Sequence, residues 1–161
     1  MTSGLRNANR WLLAAAVCTL FSTSAFSQEA KPARSLYDRL GGGAAIKAVV
    51  DDFVATAAAD PAVNFTRKGT AKEWQATDAN VARLKKRLVQ FLSVAFGAKG
   101  VKYEGKDMKT AHKGMGISEA EFNALAGHLE AALQKHNVPR AEMDEVMKIA
   151  ASTAPDIVEK T

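Results

Sequence analysis

Apolar residues recur at intervals of three and four in four stretches of the chain, which is the spacing of one face of an α-helix. The first such stretch lies between Gly41–Gly43, which we expect to break the chain, and Pro61, which we expect to close the helix. Its apolar positions are Ile46, Val49, Val50, Phe53, Val54 and Ala57. The second stretch runs from about Thr77 to Gly97. Its stripe consists of Val81, Leu84, Leu88, Phe91, Leu92, Ala95 and Phe96.

The third helix has two start signals at one place. Ser118 and Glu121 form the pattern of a capping box, and Ile117 and Phe122 have the spacing of a hydrophobic staple. Its stripe consists of Phe122, Leu125, Ala126, Leu129 and Leu133, and that of a fourth helix, beginning near Pro139, of Met143, Val146, Met147 and Ala150. Since no segment alternates as a strand does, the pattern predicts an all-α domain with four substantial helices.

Two segments do not follow this pattern. Residues 64–77 show no period and are expected to form a long structured loop. The stretch from Lys102 to Lys113 has too few apolar residues for a helix that packs by itself. It ends in "KTAHKGMGIS", in which His112 precedes the turn-forming Gly114 and Gly116. A loosely held segment next to a core is suited to presenting a side chain.

The N-terminus has the pattern of a secretory signal. Arg6 and Arg10 precede an apolar run that is too short to span a membrane, and small residues follow it. Cleavage after Ser27 would leave a linker over 28–35 and one domain over 36–161. We therefore expect a periplasmic or secreted protein without a membrane anchor after cleavage.

The expected mature chain has few groups for metal or redox chemistry. The only cysteine, Cys18, would leave with the signal, which excludes disulfides, thiolate ligands and a haem attached through C-x-x-C-H. Loss of two arginines lowers the formal charge from +5 to +3. The lysines alternate with acidic residues, so a solvated surface is favoured over nucleic-acid binding.

No two of the three histidines have the spacing of a metal-binding pair. For each, an ordinary structural role is the simpler interpretation: His128 at the edge of a stripe, and His112 and His136 at helix ends. A single histidine can still hold iron when a macrocycle supplies four further ligands.

The chain from about Leu36 onward resembles the group I truncated haemoglobins. The resemblance is carried by "LYDRLGGGAAI", "AVVDDF", "RLKKRLVQFL", "YEGKDMKTAHKGMGI", "EFNALAGHLEAAL" and "VPRAEMDEVM". It implies the two-over-two helical sandwich and a non-covalent haem b. It further implies that His112 is the proximal iron ligand and that a diatomic gas, namely oxygen, nitric oxide or carbon monoxide, binds opposite it.

The resemblance also assigns roles to residues whose periodicity fits ordinary core packing equally well. It implies that the haem is walled by Phe53, Phe65, Leu84, Leu88, Phe91, Met108, Phe122 and Leu125. Tyr103 would lie near a propionate, and Val54 and Leu88 take the positions where the family usually has a tyrosine and a glutamine that donate to bound oxygen. The distal side is thus expected to be apolar, with Trp74 as a candidate donor and Arg87 as a partner for a propionate or a gate.

Three functional hypotheses follow. The first is a binding protein, monomeric or weakly dimeric, that holds a diatomic gas and is served by an unidentified reductase. The second is a haem enzyme, either a nitric oxide dioxygenase or peroxidase-like, or a haem-based electron-transfer or sensor protein. The third is a helical interaction module without a cofactor. An apolar distal side favours the first.

Overall fold

The computed structural model describes residues 34–160, so the expected signal over 1–27 and most of the linker lie outside the described residues. Seven helices follow one another in this part of the chain: α1 Leu36–Arg39, α2 Gly42–Ala59, α3 Asp78–Ala95, α4 Met108–His112, α5 Glu119–Lys135, α6 Arg140–Ala151 and α7 Ala154–Ile157. A 3-10 turn, Pro61–Val63, follows α2. Within residues 34–160 there is no strand beyond one isolated bridge between Ser118 and Lys160. The predicted all-α class is confirmed.

The core is centred on α2. This helix packs against both α3 and α5, and α5 also packs against α6. All six apolar positions predicted for α2 are buried, and Val50 and Ala57 have no exposed surface. Burying a side chain the size of valine or larger stabilises the fold by about 1.5–3 kcal/mol relative to exposure, so this stripe is enough to fix α2 as the central helix.

The helix ends follow the expected signals, with one correction. Thr77 caps α3, and Ser118 and Glu121 form a complete capping box at the start of α5. The prediction that Gly41–Gly43 lies outside the first long helix is wrong, because Gly42 and Gly43 already belong to α2. Gly41 takes a left-handed conformation and is itself the N-cap residue.

The helices on one side of the domain are poorly covered by the rest of the chain. Of the residues in α3, only Ser93 is buried, and most residues of its apolar stripe are partly exposed. The five-residue α4 has no buried residue, as the sequence predicted for a segment with so few apolar positions. None of the helices between residues 34 and 160 has the length and apolarity that a membrane span requires. The uncovered faces of α3 and α4 border the cavity described next.

Candidate haem site

A cavity of about 510 Å³ lies between α2, α3, α5 and the segment that carries α4. This volume lies within the range of about 300–1,000 Å³ that is usual for small-molecule sites. Its apolar walls come from Phe53, Val63, Phe65, Leu84, Leu88, Phe122, Leu125 and Ile157. Leu84 and Leu88 of α3 therefore face this cavity, while Val81, Leu88 and Leu92 pack against the core.

The structure brings together seven of the eleven residues that the sequence comparison assigned to the cofactor. Those seven line the cavity: Phe53, Phe65, Leu84, Leu88, His112, Phe122 and Leu125. The haem-contact assignments themselves stay predictions.

The other four do not line the cavity. Val54 is 2% exposed and belongs to the core cluster. Phe91 and Tyr103 pack on each other with their ring centroids 5.6 Å apart, and the Tyr103 hydroxyl donates to the Lys106 carbonyl at 2.8 Å. Met108 acts through its backbone, because its carbonyl accepts a hydrogen bond from His112. A position in an alignment does not determine the direction of a side chain, which explains these four differences.

His112 is half-buried in the cavity wall and has a defined tautomer. Its Nδ1 lies 2.8 Å from the carbonyl oxygen of Met108, one turn earlier in α4. A carbonyl only accepts, so Nδ1 carries a proton, and in the neutral imidazole Nε2 is then the nitrogen with the lone pair. Histidines that bind a metal are commonly oriented in this way by a bond to the other ring nitrogen. His112 is also the last residue of α4, so the helix-end role proposed from the sequence and a ligand role are compatible.

The polar groups at the cavity are mostly cationic. Arg87 donates to Glu104 at 2.9 Å and to Gln90 at 3.1 Å, and Arg83 donates to Asn80. The hydrogen bond from Gln90 and the charges of Lys86 and Arg87 hold the pKa of Glu104 below its ordinary value. Arg83 and Arg87, beside the apolar walls of the cavity, suit a ligand with a flat apolar body and carboxylates at its edge.

Trp74 also lines the cavity, but its single N–H is already used. The indole Nε1 donates to the carbonyl of Phe65 at 3.0 Å, and the two rings lie with centroids 5.4 Å apart. Tryptophan has no second donor. In this conformation Trp74 covers the cavity without offering a hydrogen bond into it.

Nothing in the sequence pattern indicated a role for Arg67. This residue lies in the aperiodic loop 64–77, is only 6% exposed, lines the cavity and pairs with Glu121 at 2.9 Å. Burial acts to raise the pKa of Glu121, but hydrogen bonds from Ser118 and Arg67 outweigh it, so this pKa lies below its ordinary value. A periodicity search cannot find a buried charge in a loop that has no period.

A haem group fits the residues present. The cavity is apolar, one imidazole in its wall has a free ring nitrogen, and arginines lie at its edge. Among residues 34–160 there is no group of three or more His, Cys, Asp or Glu side chains that could hold a metal. Within this part of the chain, a metal at the cavity would thus depend on a cofactor for most of its ligands.

Comparison with known proteins gives the same class. The bacterial-like globin family matches residues 35–159. The chain is 36% identical over 130 residues to the group 1 truncated haemoglobin of Mycolicibacterium paratuberculosis, covering 81% of this chain and 88% of that protein. It is 32% identical over 127 residues to that of Tetrahymena pyriformis, covering 79% of this chain and 97% of the relative.

Solved structures agree in fold. The Fe(III) form of the Tetrahymena pyriformis truncated haemoglobin has a TM-score of 0.67 at 31% identity, covering 79% of this chain and 100% of that one. The 2/2 haemoglobin of Synechococcus sp. PCC 7002, in the cyanomet state and with covalently attached haem, has a TM-score of 0.65 at 30% identity over the same shares. The chain therefore belongs to the bacterial-like globin family and is a haem-binding, gas-binding globin of the truncated type.

Proposed function

We propose that the cavity holds haem b without a covalent link, that His112 Nε2 is the axial ligand of the iron, and that a diatomic gas binds on the opposite face. The observation that carries this proposal is the bond from His112 Nδ1 to Met108, which leaves Nε2 as the basic nitrogen of a residue in the cavity wall. One relative is described with covalently attached haem. For this chain we propose a non-covalent link, because its expected mature form has no cysteine for a thioether bond, and neither His128 nor His136 lines the cavity.

The haem would supply a redox-active iron with a position for the gas. The chain's own residues orient and enclose it. His112 is aimed by the Met108 carbonyl, and the apolar side chains of Leu84, Leu88 and Phe122 exclude water from the cavity. Arg83 and Arg87 are suited to bind the propionates.

The gas would meet an apolar distal face. Leu88 occupies the predicted position of a donor, Val54 is buried in the core, and the N–H of Trp74 is bonded to Phe65. Since carbon monoxide depends less than oxygen on a hydrogen bond, such a face lowers selectivity for oxygen. Leu84, Leu88 and Trp74 also offer no free donor to handle an oxidant, so we favour reversible binding over catalysis.

Haem titration of the apoprotein tests the proposal. The wild type is expected to bind haem at one equivalent and give a sharp Soret band, whereas His112→Ala gives a weak, shifted band. His128→Gln and His136→Gln are matched controls, because these histidines pair with Asp60 at 2.8 Å and Asp52 at 2.7 Å and do not line the cavity. A wild type that stays colourless, or a His112→Ala spectrum equal to that of the wild type, would refute it.

We further propose that the protein is exported. The support is the charged start, the apolar run and the small residues before Gln28 in the sequence. N-terminal sequencing of protein from a Gram-negative expression host checks this. The expected result is periplasmic protein that starts at Gln28, and cytoplasmic protein with an intact N-terminus would contradict it.

A further inference from the structure

The turn that follows His112 is held on one side by a single carboxylate. The two oxygens of Glu159 accept hydrogen bonds from the backbone N–H groups of Gly114, at 2.7 Å, and Gly116, at 2.6 Å. Gly114 and Gly116 have φ angles of +77° and +59°, in the region that residues with a Cβ seldom adopt. The chain can therefore turn sharply after His112 and present both N–H groups to one acceptor.

The segment that carries Glu159 is itself fixed to the chain beyond the turn. The N–H groups of Glu159 and Lys160 both donate to the carbonyl of Ile117, at 2.8 and 3.1 Å. The carbonyl of Lys160 accepts from the N–H of Glu119 at 3.0 Å. The backbone that carries the Glu159 carboxylate is thus hydrogen-bonded to the chain at the start of α5.

Arg67 holds the turn from its carbonyl side. Its guanidinium donates to the carbonyls of Met115 at 2.7 Å and Gly116 at 3.3 Å, and to Glu121 at 2.9 Å. This arginine is 6% exposed, its Nε has no hydrogen-bond partner and its φ is +55°. A buried charge on a left-handed backbone is costly and persists only where its surroundings impose it.

Capping of α5 does not account for these contacts. Only one hydrogen bond of Arg67 reaches Glu121 of the capping box, whereas two reach the turn. Both oxygens of Glu159 bond to the turn as well. Hydrogen bonds from Arg67 and from Glu159 therefore meet at residues 114–116, two to four residues after His112. The bond to the Met108 carbonyl orients the His112 ring within α4. Since α4 has five residues and none of them is buried, the position of α4 as a whole depends on contacts with the segments around it.

Taking the proposed haem function as given, we propose that Arg67 and Glu159 are positioning residues that fix the orientation of His112. Arg67 comes from the loop that also carries Trp74 over the cavity. The Arg67 guanidinium therefore links the loop 64–77, which covers the cavity, to the backbone that follows His112. Glu159 ties the same backbone to the C-terminal segment.

Three variants and two matched controls test the proposal. Glu159→Gln removes the charge while keeping the shape, and Arg67→Met removes the donors. Glu73→Gln is the matched control for the first, because Glu73 accepts the N–H of Gly69 at 2.9 Å, away from the turn. Arg39→Met controls for the second, because Arg39 pairs with Glu142 and Glu145 of α6 and does not line the cavity. Arg67→Lys keeps the charge and tests for partial rescue.

The readouts are the iron–histidine stretching band of the ferrous protein by resonance Raman, haem transfer to apomyoglobin, and amide exchange of Gly114 and Gly116 in the apoprotein. We expect Glu159→Gln to lower and broaden the band, to speed haem transfer and to raise exchange at both glycines. Arg67→Met should speed haem transfer by roughly tenfold. The band of Arg67→Lys should lie between those of Arg67→Met and the wild type. Both controls should match the wild type.

The outcomes separate this proposal from the haem function. If the wild type binds haem but neither Glu159→Gln nor Arg67→Lys moves the band, the positioning role is refuted and the haem function stands. If the wild type binds no haem, the haem function fails, and with it the positioning role. Amide exchange in the apoprotein then still shows whether Glu159 holds the turn. Should Arg67→Met fail to fold, Glu159→Gln and Arg67→Lys decide the question.

Discussion

At the scale of single residues, the proposed distal wall has an apolar side chain where a donor would stabilise bound oxygen. Leu84 and Leu88 present only carbon atoms to the cavity, and Trp74 has committed its N–H to Phe65. A hydrogen bond to a charged or strongly polarised partner is worth about 1.5–3 kcal/mol. Each 1.4 kcal/mol is a factor of ten in an equilibrium constant, so one added donor is enough to change the behaviour of the site.

Leu88→Gln is therefore expected to slow oxygen dissociation by roughly ten- to a hundredfold, because its amide adds a donor to the cavity wall. Stopped-flow displacement of oxygen by carbon monoxide measures the rate. Leu88→Met is the control, since it keeps a similar volume without a donor. An equal slowing in Leu88→Met, or none in Leu88→Gln, would show that Leu88 does not face the bound gas.

At the scale of helices, carboxylates on and near α2 link it to its neighbours. Asp51 pairs with Lys85 of α3, and Asp52 accepts from Lys135 of α5 and from His136, the residue that ends α5. Bonds from Lys135 and then His136 lower the pKa of Asp52, and that from His128 is the main cause of the lowered pKa of Asp60. A carboxylate whose pKa is lower in the folded state stabilises the fold above its ordinary pKa, and this contribution disappears as the pH falls through the folded value.

The free energy of unfolding is thus expected to fall as the pH drops below about 4, the ordinary pKa of an aspartate. Urea titrations at pH 7, 5 and 3 measure it. Asp52→Asn should lose part of the stability at pH 7 and show a shallower decline in acid. The same decline in Asp52→Asn as in the wild type would contradict a role for this carboxylate. Asp144→Asn is the control, because it breaks only the exposed pair between Asp144 and Arg140 within α6.

At the scale of the whole molecule, the cavity joins elements that are distant in the chain. Its walls come from α2, the loop 64–77, α3, α4, α5 and α7, so a bound haem would contact nearly every element of the domain. A ligand that binds only the folded state stabilises it by about 2.7 kcal/mol when the free ligand is at a hundred times its dissociation constant. Stability and haem binding are therefore linked.

Removal of haem is expected to lower the urea midpoint of unfolding by an amount that corresponds to the free energy with which bound haem stabilises the folded state. Far-ultraviolet circular dichroism of the haem-loaded and haem-free protein measures the difference. In His112→Ala the difference should shrink, because the iron ligand is lost while the apolar walls remain. Equal midpoints with and without haem in the wild type would show that the cavity does not bind haem in the folded state.

The sequence predicted the four long helices because apolar spacing and end signals agreed for each of them. The short helices α1 and α7 escaped prediction, since four residues are too few to establish a period. His112 and most of the cavity wall were found through the order of residues in a motif. The burial of Val54 in the core and the contacts of Arg67 could not be predicted, because the direction of a side chain and the partners of a loop residue depend on contacts between distant parts of the chain.

The central claim is that His112 holds the iron through Nε2. The most direct measurement is the resonance Raman spectrum of the ferrous, ligand-free protein in the region of the iron–histidine stretch. We expect a band in the wild type that is absent from His112→Gly and returns, shifted, when imidazole is added to that variant. A band that persists unchanged in His112→Gly without imidazole would show that another group binds the iron and would contradict the account.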